Sequence, residues 1–106
     1  MIARLWHGRT KRDLADDYVA FLERRAIPDY QSVPGNRAVY ILRRFEGDEA
    51  HFEILTLWDS LDAIARFAGS DVTLAKYYPE DKDFLLELEP RVRHFDAFGT
   101  VPPGTA

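Results

Sequence analysis

No cysteine occurs in the chain, which removes disulfides, thiolate metal sites and cysteine nucleophiles together. Histidine is scarce: three copies, at positions 7, 51 and 94, with no short ligand spacing among them and no carboxylates clustered beside them, so a metal site has no support. Positive charge is in deficit too. Fourteen Lys and Arg against 18 Asp and Glu give a net charge of −4, which argues against a general nucleic-acid binder working by phosphate neutralisation. No apolar run approaches the ~20 residues needed to cross a bilayer, and the opening MIARLWHGRTKRD lacks the apolar stretch of a secretory leader. There is no glycine-rich phosphate loop, because Pro34-Gly35-Asn36 is too short and precedes a strand. What is present is 106 residues, 46% hydrophobic and 30% charged. That describes one globular domain, expected in the cytoplasm, with neither nucleic acid nor membrane as a partner.

Along the chain, IARLWHGR over residues 2–9 alternates as a strand does. Thr10 with Asp13 three residues on reads as a helix N-cap, and Leu14, Tyr18, Phe21 and Leu22 follow at helical spacing. This helix is expected to stop before Pro28. Val33-Pro34-Gly35-Asn36 is a turn, residues 37–45 a second strand, Glu46-Gly47-Asp48-Glu49 a tight turn, and residues 51–58 a third strand returning antiparallel. Ser60 caps a second helix with Leu61, Ile64, Ala65 and Ala68 on one face and Gly69 as its stop. Residues 71–90 are less regular, and residues 91–98 form the last strand. The order is β-α-β-β-α-β, an α+β, ferredoxin-like plan with an antiparallel sheet over residues 1–98, leaving 99–106 as a flexible tail.

That plan puts both helices on one face of the sheet, so a monomer should be polar on the other. It is not. Val39 and Ile41 alternate with Ala38, Tyr40 and Leu42, and Phe52, Ile54 and Trp58 alternate with Leu55 and Leu57. A sheet apolar on both sides needs a second cover. A second copy packed face to face is the economical answer, and the alternative is that residues 70–90 fold over the open face.

The stretches EILTLWDS over 53–60, Gly69-Ser70-Asp71-Val72, Ala75-Lys76-Tyr77-Tyr78-Pro79-Glu80-Asp81 and Pro90-Arg91-Val92-Arg93-His94-Phe95 together resemble the antibiotic biosynthesis monooxygenase family. The resemblance spans residues 1–98. It implies a dimeric α/β barrel of ferredoxin-like protomers with a pocket between helices and sheet. It also implies either oxidation of an aromatic, polyketide or quinol-type metabolite by O2 without cofactor, or binding and degradation of heme. Trp58, directly before Asp59-Ser60, matches a functional tryptophan of the heme-degrading relatives. Their ligand histidine falls here at about Tyr77, a departure that puts heme ligation in doubt and fits the polyketide-type relatives, where a tyrosine positions substrate.

Cofactor-free oxygenation needs a base, a donor near a developing anion and a pocket that excludes water. His94, on a strand face with Val92, Asp96 and Phe98, is the candidate base or polar anchor. The expected catalytic set is His94, Tyr77 and Trp58, with Trp6, His7, Tyr40, Phe67 and Tyr78 for substrate binding. Trp6 and His7 point to opposite faces of their strand, so one of them alone meets the pocket. His51, after the hairpin turn, reads as solvated. The expected partners are a small aromatic molecule, O2 and a second copy, with no resident cofactor and heme as a less favoured possibility. The competing reading is a non-catalytic dimeric module that holds a hydrophobic metabolite or heme.

Overall fold

In the computed structural model, which describes residues 1–100, four strands form one antiparallel sheet in the order β2-β3-β1-β4. These are β1 (Ile2–Lys11), β2 (Asn36–Glu46), β3 (Glu49–Trp58) and β4 (Arg93–Asp96). The outer part of the expected 99–106 tail, from residue 101 on, lies outside the described residues. The protomer is ferredoxin-like and α+β, as the alternation pattern predicts.

β1 runs further than the sequence pattern marks. Thr10 caps no helix; it is a fully buried strand residue whose hydroxyl donates to the Lys11 carbonyl at 2.8 Å. The helix begins instead with a 3-10 turn (Arg12–Leu14) leading into α1 (Ala15–Phe21). Nor does it stop before Pro28. A π turn (Leu22–Ala26), closed by the Ile27 N–H on the Leu22 carbonyl five residues back, joins α1 to α2 (Ile27–Gln31). The wider turn opens the rod just where a proline has no N–H to give and would crowd the carbonyl four residues back.

The β2-β3 hairpin turns on Gly47-Asp48, with Glu46 opposite Glu49 and Gly47 at φ 57, the left-handed conformation such two-residue loops require. Ser60 caps α3 (Leu61–Ala68) by accepting from the Ala63 N–H at 3.1 Å. The face that α3 buries is Ala63, Ile64 and Phe67, one step round from the expected stripe, with Leu61 half exposed. Residues 69–90 hold only the short α4 (Asp81–Phe84). β4 is shorter than expected because Val92 N–H is taken by the Thr73 carbonyl before pairing with β1 begins.

The inner face of the sheet, toward the helices, carries Arg4, Trp6, Gly8 and Thr10 from β1 and Ala50, Phe52, Ile54, Thr56 and Trp58 from β3. All of these inner-face residues are buried. The outer face carries Leu5, Leu55, Leu57, Tyr40, Leu42 and Phe95, the last three 53%, 44% and 47% exposed. Residues 69–90 leave Tyr40, Leu42 and Phe95 open and cover only the β1 margin of this face, where Glu87 and Glu89 reach Arg9 and His7. They pack on the helix side and along the edge of β1, where Leu86 N–H donates to the Arg9 carbonyl at 2.9 Å.

Candidate functional site

Between the helices and the inner face lies an aromatic chamber. Its depth is set by local stacking: Tyr30 of α2 lies on Phe67 of α3 with centroids 4.2 Å apart, and Trp58 meets Phe67 at 5.9 Å and Tyr30 at 6.3 Å. Toward the middle of the sheet Trp6 meets Tyr77 edge-on at 6.1 Å. The free space left among Trp6, Tyr30, Ile54, Lys76 and Tyr78 is about 10 Å³, room for one water molecule at most. The segment 76–81 fills the rest.

Polar contacts hold that segment down. The Tyr78 hydroxyl donates to Asp29 Oδ2 at 2.6 Å, and Lys76 Nζ donates to the same oxygen at 3.0 Å. Tyr18 donates to Asp81 Oδ1 at 2.8 Å, while the Tyr78 N–H donates to Asp81 Oδ2 at 2.7 Å. The two aspartates respond oppositely. Burial opposes ionisation of Asp29, yet the bonds from Tyr78 and Lys76 and the nearby Arg25 hold it below the usual aspartate range. Burial dominates at Asp81 and pushes it up despite its hydrogen bonds. Tyr78 is raised by burial and then by Asp29.

Three buried nitrogens on the inner side have no partner: Arg4 Nε, Trp6 Nε1 and His94 Nε2. Native interiors satisfy nearly all such groups, so a cluster on two adjacent strands calls for an explanation. Arg4 and His94 are register partners on β1 and β4. Burial first, and then the charge of Arg4, lowers the pKa of His94, which favours the neutral imidazole.

Of the sequence candidates, Trp6, Phe67, Tyr77, Tyr78, Trp58 and His94 all lie on the helix side of the sheet. They do not share one cavity. The remaining free space is bordered by Trp6 and Tyr78, whereas Trp58 is sealed with its indole N–H on Thr56 Oγ1 at 2.8 Å. The Tyr77 hydroxyl donates to the Glu89 carbonyl at 2.5 Å, and burial pushes it up to about 12, so it stays protonated at neutral pH. His7 and Tyr40 are on the outer face. There the Glu89 carboxylate accepts from His7 Nδ1 at 2.5 Å, and His7 Nε2 shares a hydrogen bond with His51 Nδ1 at 3.1 Å. His51 is therefore partnered and mostly buried rather than solvated.

Sequence reasoning missed Arg4, Asp29, Lys76, Tyr18, Tyr30 and Asp81. Arg4 alone had a local signal, since it alternates in phase with Trp6; the others meet only through long-range packing. Among the described residues no group of three or more His, Asp or Glu side chains is arranged to hold a metal. No described helix is long and apolar enough to cross a membrane.

No protein-family model matches the chain, and no curated protein matches it. The chain is similar in fold to a solved structure of a MhuD mutant with two manganese protoporphyrin IX molecules bound per active site. The TM-score is 0.60 at 15% identity, covering 96% of this chain and 99% of that one, a likeness that shows the ferredoxin-like fold. The chamber here does not present a ready iron ligand at Tyr77, whose hydroxyl is neutral and engaged by a carbonyl.

Proposed function

We propose that the protein binds a small aromatic or quinol-type molecule in the inner chamber and oxidises it with O2, without a resident cofactor. The observation that carries this reading is the set of unpartnered nitrogens on Arg4, Trp6 and His94, facing the helix side of the sheet within an aromatic layer. The free N–H groups of Arg4 and Trp6 are donors that a bound oxygen atom would satisfy, and Nε2 of the neutral His94, in the tautomer that leaves it bare, is the acceptor for a proton.

In this reading the segment 69–90 swings outward to admit the ligand, releasing the bonds of Lys76 and Tyr78 to Asp29, and closes to exclude water. Neutral His94 takes a proton from the substrate. The resulting electron-rich anion passes electrons to O2. For a ring methylene, one oxygen atom is kept as a carbonyl and the other leaves as water with the two hydrogens removed. Trp58 and Phe67 serve as walls, Tyr77 and Trp6 border the ring, and Tyr78 is the side chain displaced. The exposed outer face, with Tyr40, Leu42 and Phe95, closes against a second copy of the chain.

Oxygen uptake by chelator-treated protein with anthrone- and hydroquinone-type substrates, comparing wild type with His94→Ala, tests the reading. Uptake above the autoxidation background that falls at least tenfold in the variant, with folding intact, is the expected result. Uptake by neither protein, together with a saturable hemin titration, would favour a non-catalytic porphyrin-binding module, the alternative suggested by the porphyrin-bound fold neighbour.

A further inference from the structure

We propose that Arg4 is the receptor for a negatively charged oxygen on the bound molecule, so that the ligands are aromatic oxyanions rather than neutral rings. The inference rests on the binding role proposed above and specifies the chemistry of its ligand.

Arg4 is 1% exposed, yet among the described residues no carboxylate lies within ion-pair distance of it. The acidic groups of the chamber are already engaged: Asp29 by Tyr78 and Lys76, and Asp81 by Tyr18 and the Tyr78 N–H. What Arg4 has is neutral company: a bond from Nη2 to the Leu74 carbonyl at 3.2 Å, the nearby Tyr30 hydroxyl, and the ring of Phe67, 5.4 Å from the centre of the guanidinium. Its Nε has nothing.

Guanidinium does not lose its proton under these conditions, so the position holds a real and uncompensated charge. A buried charge without its counterion is costly, and an apolar side chain of similar volume would serve a purely structural layer better. Arginine at this place therefore makes sense when an anion arrives from outside. The surroundings are aromatic, with Tyr30 stacked on Phe67, Trp58 packed beside them and the guanidinium over the Phe67 ring, and a ligand ring gains room there only as the segment 76–81 moves out. The planar guanidinium fork matches a carboxylate and also accepts a single phenolate oxygen. Lys76 Nζ, 4.3 Å from the Phe67 ring, is neutralised by Asp29 at 3.0 Å, so the uncompensated charge of this region is that of Arg4.

The two oxyanion sources separate by probe. Benzoate, 4-nitrophenol and neutral benzamide are titrated into wild type, Arg4→Met and Arg4→Lys, following binding calorimetrically and by melting temperature. For wild type we expect benzoate or 4-nitrophenolate to bind at least tenfold tighter than benzamide and to raise the melting temperature. If the phenolate is preferred, the yellow band of bound 4-nitrophenolate grows at slightly acidic pH as protein is added; if the carboxylate is preferred, benzoate leads. Arg4→Met is expected to lose that preference while melting no lower than unliganded wild type, and Arg4→Lys to keep a weakened preference. Equal binding of benzamide and the anions to wild type overturns the anion receptor while leaving aromatic binding in place. Anion binding by Arg4→Met equal to wild type does the same. Binding of none of the three to wild type overturns both readings. Where Arg4→Met fails to fold, Arg4→Lys carries the assignment to Arg4, and equal binding of benzamide and the anions to wild type still overturns it.

Discussion

Trp58 and Thr56, neighbours on the inner face of β3, are tied by a buried hydrogen bond in which the indole Nε1–H donates to Thr56 Oγ1 at 2.8 Å. The Thr56 hydroxyl donates onward to the Arg4 carbonyl at 3.3 Å, so a single oxygen both satisfies the indole and fixes β3 to β1. Trp58 is thereby a wall whose N–H is committed, whereas the Trp6 N–H makes no well-aligned bond and has only the Tyr77 hydroxyl near it.

Thr56→Val removes that oxygen and strands the indole N–H. The expected loss is about 1–3 kcal/mol, the cost of a buried unsatisfied donor. Trp58→Ala should cost about 3–5 kcal/mol through the cavity it leaves. Urea unfolding measures both, and a loss at Thr56→Val within error of zero would show the bond to be energetically idle.

Gly8 lies beneath the Trp6 indole. A Cβ at this position would sit 2.5 Å from Trp6 Cη2 and 3.0 Å from Leu85 Cδ2. Gly8→Ala should therefore destabilise the fold by about 1–3 kcal/mol, typical of overpacking, and shift tryptophan fluorescence. Unchanged emission with normal stability would mean the indole has room to move.

Asp29 and Asp81 should respond to pH with opposite signs. Asp29 titrates below the usual aspartate value of 3.8 when folded, so its contribution is present above that pH and lost as pH falls through the folded value. Asp81 titrates above 3.8 when folded, so its contribution is present below that pH and lost as pH rises through the folded value. Relative to wild type, Asp29→Asn should lose most at neutral pH and recover toward acid. Asp81→Asn should gain ground as pH rises from 4 to 7. Denaturation midpoints are measured from about pH 2 to 7, so that the Asp29 window below 3.8 is covered, and two variants tracking in parallel would contradict the assignment.

The outer face should mediate self-association. Light scattering is expected to give twice the monomer mass, and Leu55→Arg, at the centre of that face, to give monomers with secondary structure retained. A monomeric wild type at micromolar concentration would refute it.

The strands and their two-sided apolar pattern were readable because side-chain alternation is a local property, and Ser60 announced its helix because capping is decided within three residues. The path through Pro28 was not readable, since a proline normally ends a helix and the π turn that admits it has no residue signature. The face of α3 was misplaced by one step for a similar reason: Phe67 is chosen by stacking on Tyr30, a partner 37 positions away by subtraction of the two residue numbers. The chamber's polar ties were beyond local reach altogether, with Lys76 and Asp29 separated by 47 positions and Arg4 and Leu74 by 70. Burial of Arg4 contradicts the ordinary preference of arginine for the surface, and sites of function are where such preferences fail.

The π turn over Leu22–Ala26 carries one more consequence. Each residue of an α-helix advances the side-chain direction by about 100°, so a turn wound one residue wider resets the angular phase of everything after it. α2 therefore presents Asp29 and Tyr30 in a phase different from the one α1 would have dictated by unbroken winding. Asp29 reaches Lys76 and Tyr78, and Tyr30 reaches Phe67, from that reset position. Deleting one residue within the turn would be a rotation rather than a shortening: the core stripe of α1 would survive, while the acid and the ring that organise the chamber would be carried out of alignment.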